Sequence, residues 1–347
     1  MKTQQIQSET GQRIGLPDTL KGVAVILMVQ VHLMELFANE LTYNSMIGKI
    51  SLFLGGPPAA PVFMAVMGYF LAYSDKHLSK SLWRGTKLIL LGLILNIGMN
   101  FNLLIKTLQG NLDINPWQYV FGVDILFLAG LSIILISLLK LVFNEKLLLW
   151  LLAILFFGGI NRFLPVYSGE NQLLKYALPY FSGFSPWSYF PVFPWMTYVL
   201  IGFTFRLAVK KNLLPALSSK TTTYIFAALV LVLAFTFVFG LRISSILEVY
   251  YHHNIVFVLW TMAFLAFWLI LFGHLDQFFG KSDVFAYLRW VGKNVTVFYV
   301  VQWLIIGNIA TEIYRTQPLL QLILWFAAIM LVTSAIVWGI RRFRILS

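Results

Sequence analysis

The sequence predicts an all-α fold: a polytopic integral membrane helical bundle of about ten transmembrane helices, with both termini in the cytoplasm. Three observations carry this. Of 347 residues, 59% are hydrophobic and only 11% charged, with a mean hydropathy of +0.82. A soluble domain carries about 25% charged residues. So apolar a surface excludes a soluble enzyme, a disordered chain and a nucleic-acid binder. Second, the apolar residues fall in continuous runs of roughly 20, long enough to cross the hydrocarbon core as helices; a barrel would need alternation. Third, Lys and Arg segregate between alternate loops.

In chain order the candidate spans are about residues 19–38, 57–74, 86–105, 117–139, 147–163, 190–209, 222–241, 254–273, 290–310 and 318–340. The first follows eighteen mostly polar residues and no small-residue cleavage site follows it, so it reads as an uncleaved signal-anchor. With the N-terminus inside, 19 of the 25 Lys and Arg fall on the cytoplasmic side, from Lys2, Arg13 and Lys21 to Arg341, Arg342 and Arg344. The outer side holds Lys49, Lys106, Arg162, Lys175, Arg242 and Arg315. An odd span count would break this partition. No internal repeat or low-complexity segment interrupts the chain, which reads as one membrane domain over 1–347. Residues 1–18 form a cytoplasmic segment and 341–347 a cytoplasmic tail. The chain has no Cys, so disulfides, thiolate metal sites and Cys nucleophiles are excluded.

The first span carries Asp18, Lys21, His32 and Glu35. Charges inside a membrane helix are costly and are usually kept for function. At about 100° per residue, Lys21 and His32 share a face and Asp18 and Glu35 fall within roughly 60° of it. His32 lies about 16 Å along the axis from Lys21. Asp18 also fits an N-cap, and Lys21 also fits a snorkelling lysine. His32 has no such inexpensive structural role. A neutral imidazole accepts a proton from an attacking hydroxyl or amine, or itself attacks a thioester; both roles stay open. Glu35 is placed to orient the ring.

The run DTLKGVAVILMVQVH, Asp18 to His32, resembles the opening of membrane acyltransferases related to heparan-alpha-glucosaminide N-acetyltransferase. It is similar, more distantly, to bacterial acyltransferase family three. That family has Arg, ten residues, then His in its first span; here the pair is Lys21 and His32. Its second pattern, Arg-x-x-Arg, is matched by Arg84-Gly-Thr-Lys87. Lys keeps the charge but not the bidentate fork. Weaker likeness covers PPAAPVFMAVMGYFLA, FGVDILFLAGLSIIL, FPWMTYVLIGF and VGKNVTVFYVVQW. Relatives often end the late span with Tyr-x-x-His; here Tyr299 is followed by Gln302.

The resemblance implies transfer of an acyl group, acetyl by the family's name, across a bacterial inner membrane. The co-substrate would be an acyl-CoA such as acetyl-CoA, with no permanently bound cofactor. The acceptor would be a sugar hydroxyl or amine of an envelope glycan or glycolipid. The partners are thus the lipid bilayer and a glycan, with no nucleic acid. His32 and Glu35 would be catalytic, and Lys21, Arg84 and Lys87 would receive the CoA phosphates.

Other polar residues admit two readings. Asp124, expected within the fourth span, can pair with a cation or relay a proton. Asn96 and Asn100, four apart, suit interhelical hydrogen bonds or an acceptor route. Arg162 is a candidate acceptor contact. Glu248, His252 and His253 fall short of a zinc ligand set, so no metal site is expected. The aromatics Tyr176, Tyr180, Phe184, Trp187, Tyr189 and Trp195 suit an interfacial belt or a sugar-stacking surface. A proton-coupled transporter or flippase of a polar solute is the rival reading, with the same buried charges as a relay.

Overall fold

The computed structural model describes residues 15–74, 77–164, 166–182, 185–214 and 218–343. The expectations for Lys2, Arg13, Phe184, Arg344 and most of the two terminal segments lie outside the described residues. Two compact units are formed: Met1–Phe63 with Leu214–Ser245 and Trp260–Ser347, and Met64–Leu213 with Ile246–Leu259.

The helices that matter here are α1 (Gly15–Leu36), α2 (Met46–Gly55), α3 (Ala60–Leu71), α4 (Leu78–Met99) and α5 (Ile125–Phe143). They continue with α6 (Leu147–Gly159), α7 (Val192–Lys210), α8 (Ser219–Phe235), α9 (Phe237–Ser245) and α10 (Ile255–Phe279). The last are α11 (Asp283–Lys293), α12 (Val295–Ile313) and α13 (Leu319–Arg342). Among the described residues there is no strand, only two isolated bridges. Among the described residues eight helices are long and apolar enough to cross a bilayer, with Met46–Leu71 counted as one and the bent pair α8 and α9 raising the number to nine.

Several predicted spans differ in detail. The second is preceded by a helix, α2, and Gly56, Pro57 and Pro58 form the turn between α2 and α3. The third begins eight residues earlier than expected, at Leu78. The fourth is broken: Pro116–Val120 is a short helix, and α5 starts afresh at Ile125. The fifth is a 13-residue α-helix ending in a 3-10 turn. The seventh bends by 59° between α8 and α9. The ninth splits at Asn294 into amphipathic α11 and apolar α12. Hydropathy averages over such breaks, because a turn built from a few apolar residues leaves the mean unchanged.

In the first unit α1 buries Leu20, Ala24, Val25, Met28, Val29, Val31, Leu33 and Met34, while Asp18, Lys21, His32 and Glu35 interrupt its apolar surface. It meets α11 backbone to backbone. A Cβ on Gly22 would stand 1.9 Å from the Leu288 carbonyl oxygen, and one on Gly292 1.8 Å from that of Asp18. Only glycine allows that approach. On its α2 side, Gln30 and Ser51 exchange two bonds: Gln30 Nε2 donates to the Ser51 carbonyl (2.9 Å) and Ser51 Oγ to Gln30 Oε1 (2.6 Å). At the far end of α1, Arg315 N–H donates to the Leu36 carbonyl at 2.9 Å, tying on the α12–α13 turn.

In the second unit α4 and α5 approach through Gly85 and Gly130 in the same way. Trp150, Trp195, Tyr198, Phe127 and Phe203 are fully buried there. Trp150 lies 4.4 Å from Phe203, ring centre to ring centre, which binds α6 to α7.

Candidate functional site

α1 brings the predicted residues into the first unit, but not as four free groups. Asp18, in the first turn, holds Lys21 at 2.7 Å, with the two side chains only 2% and 14% exposed. The i,i+3 spacing that put them on one face also lets them neutralise each other. Lys21 is therefore a cation with a carboxylate partner beside it.

His32 packs its ring against Trp303 of α12, with centroids 4.0 Å apart and planes at 34°. Its Nδ1 is buried and without a partner. Beside it Gln302 is wholly buried, and neither of its amide atoms makes a hydrogen bond. It lies close enough to act on the ring, yet outside hydrogen-bond geometry. The Trp303 indole N–H is also buried and unpartnered. Four polar atoms on three neighbouring side chains thus stand unsatisfied. Ordinary cores satisfy such atoms, and clusters of exceptions mark functional chemistry or absent ligands. Glu35 sits one turn on, but it does not hold Nδ1. Burial pushes the pKa of the Tyr43 phenol up, and the charge of Glu35 adds to that, while Arg315 opposes it.

Trp303 was not singled out by the sequence. Its signal was available: it follows Gln302, which stands where relatives often carry His. Gln302 itself is buried next to His32.

The other predicted residues belong to the second unit. Asn96 is fully buried and ties α4 to the segment before α5. Its Nδ2 donates to the carbonyls of Val120 (3.0 Å) and Gly122 (2.8 Å), while Oδ1 is unpartnered. Asn100 Nδ2 bonds back to the Asn96 carbonyl at 2.9 Å, within its own helix end. Asp124 does not lie within a span. It is the N-cap of α5, accepting the Leu126 N–H at 3.2 Å, because Gly122 and Val123 interrupt the helix just before it. Arg84 and Lys87 are exposed on α4, and Lys87 Nζ lies 5.2 Å over the Trp83 ring. Arg162 is exposed in the 3-10 turn after α6.

The histidines that follow the short helix Leu247–Tyr251 also find partners. His253 Nδ1 donates to the Tyr250 carbonyl at 2.6 Å, which leaves Nε2 to accept the Tyr198 hydroxyl at 2.7 Å. Burial pushes its ionisation from 6.5 down to about 4, so the ring is neutral. The helix carrying Glu248 ends at Tyr251, so Glu248 and His252 do not share a helix face. Among the described residues no three His, Asp or Glu converge as a metal site would require.

No curated protein and no solved structure matches the chain. The catalytic-domain model of heparan-alpha-glucosaminide N-acetyltransferase matches residues 13–232. That span takes in the whole of α1, with Asp18, Lys21, His32 and Glu35, and Arg84 and Lys87 on α4. A match over more than half of the chain, together with the multi-pass helical architecture, shows that this membrane protein belongs to the heparan-alpha-glucosaminide N-acetyltransferase catalytic family of acyltransferases.

Proposed function

We propose that the protein transfers an acyl group, acetyl as the family's name indicates, from cytoplasmic acyl-CoA to a sugar hydroxyl or amine of an envelope glycan or glycolipid in a bacterial inner membrane. The observation that carries this is the set of unpaired polar atoms on His32, Gln302 and Trp303. The acceptor oxygen or nitrogen attacks the thioester carbonyl, His32 takes its proton and returns it to the departing sulfur, and the C–S bond breaks so that CoA leaves as the thiol. The stepwise form has the same stoichiometry: His32 is acylated first and then passes the acyl group on. The Gln302 amide N–H suits the developing oxyanion, since a buried donor with no other partner costs no reorganisation. Trp303 fixes the imidazole plane by packing. Arg84 and Lys87, exposed on α4, are the cations open to CoA phosphates. Lys21 keeps a supporting place beside Asp18.

The test is purified protein in liposomes with labelled acetyl-CoA. His32→Ala is expected to lower acyl transfer by about 10²–10⁴-fold, the usual contribution of a general base. Wild-type rates in a folded His32→Ala protein overturn the reading. Mass spectrometry of the enzyme quenched in turnover separates the two forms: an acylated His32 peptide supports the carrier, its absence the base.

A further inference from the structure

Outside the His32 cluster, the second unit contains an arginine in an unusual setting. Arg206, near the C-terminal end of α7, is 8% exposed. No carboxylate pairs with it among the described residues, and no hydrogen bond engages its guanidinium. The group rests instead on aromatic faces: its Cζ is 3.8 Å from the centre of the Tyr73 ring and 5.8 Å from that of Tyr69. The two phenol oxygens beside it are 3.2 Å apart and bond to each other. The guanidinium nitrogens are not among the side-chain atoms sealed from solvent. A cation is thus positioned by packing while its donors stay open.

Cations gather at the C-terminal end of a helix such as α3, where carbonyls point outward. Lys140 already does this, with Nζ donating to the Ser74 carbonyl at 3.0 Å. Arg206 makes no such bond. Aromatic faces compensate a buried guanidinium only in part, and its planar fork matches the oxygens of a phosphate.

We propose that Arg206, with the Tyr69 and Tyr73 hydroxyls, binds a phosphate group. Two phosphates reach a membrane enzyme of this kind: that of an acyl-CoA and that of an anionic lipid headgroup. The acyl-CoA is favoured, resting on the reading of acyl-CoA as donor given above. The site is then a specificity element for a phosphorylated donor.

Equilibrium binding to the full chain in zwitterionic nanodiscs tests this, with CoA and with phosphate-free pantetheine as probes. Arg206→Gln is expected to weaken CoA about 10- to 100-fold and to leave pantetheine unchanged. Arg206→Lys, which keeps the charge without the fork, should fall between. Nanodiscs containing phosphatidylglycerol form the second arm. Loss of retained phosphatidylglycerol in Arg206→Gln with unchanged CoA binding assigns the phosphate site to lipid. Unchanged CoA and phosphatidylglycerol in a folded Arg206→Gln protein overturns the proposal, as does equal loss of CoA and pantetheine. The His32→Ala transfer assay is separate, so failure of the acyl-transfer reading is seen independently of this site.

Discussion

Asp18 and Lys21 neutralise each other at 2.7 Å in the first turns of α1, beside the backbone contact with Gly292. Removing one partner of a buried pair strands the other, while replacing both is often tolerated. Lys21→Met alone is expected to destabilise by about 3 kcal/mol, and Asp18→Asn with Lys21→Met to recover most of that. Thermal unfolding in detergent reads the effect. If the double variant also recovers transfer with an unchanged KM for acyl-CoA, Lys21 is not a phosphate ligand.

Gln302 gives a test in which stability and activity move apart. Its buried amide has two unpartnered atoms, a cost of about 1–3 kcal/mol in a core that gains nothing from it. Gln302→Met keeps the volume and removes that cost, so the melting temperature should stay level or rise. Transfer should fall. A variant that is both more stable and fully active would remove Gln302 from the reaction.

The contact between α1 and α11 leaves no room for a side chain. Gly292→Val places atoms where the Asp18 carbonyl oxygen stands, and at least about 1–3 kcal/mol of overpacking follows. Because that same turn carries the Asp18–Lys21 pair, loss of fold is expected rather than a selective loss of binding. Size-exclusion behaviour and melting temperature measure it.

Asn96→Leu should be among the most damaging conservative-volume changes in the second unit. It deprives the buried Gly122 carbonyl and the half-buried Val120 carbonyl of their donor, at about 1–3 kcal/mol for the former. A melting temperature equal to wild type would show that these carbonyls find other partners.

His253 predicts a pH dependence. Its ionisation falls from 6.5 when free to about 4 in the fold, chiefly through burial. The unfolded chain therefore binds more protons between these values. The contribution is fully present above about pH 6.5 and is lost as pH falls through about 4. Melting temperature should drop between pH 7 and 4.5, and His253→Gln should flatten that slope. His252, also held at about 4 by burial, leaves part of it in place.

The sequence by itself determined the membrane-helical class, because hydropathy is a sum over local composition and needs no partner. It also determined which ionisable groups share a face of α1, since helical spacing alone places them, and the opening motif pointed to the family. Only the tertiary structure decided what those groups meet. That Lys21 pairs with Asp18, that Gln302 and Trp303 close on His32, that Asp124 caps α5, and that Arg206 rests on Tyr73 all depend on contacts within a folded unit. Most of these join residues far apart in sequence, while the Asp18–Lys21 pair and the Asp124 cap turn on local backbone breaks and rotamers. A hydropathy window averages over both, because a bond at 3 Å is fixed by packing and not by composition.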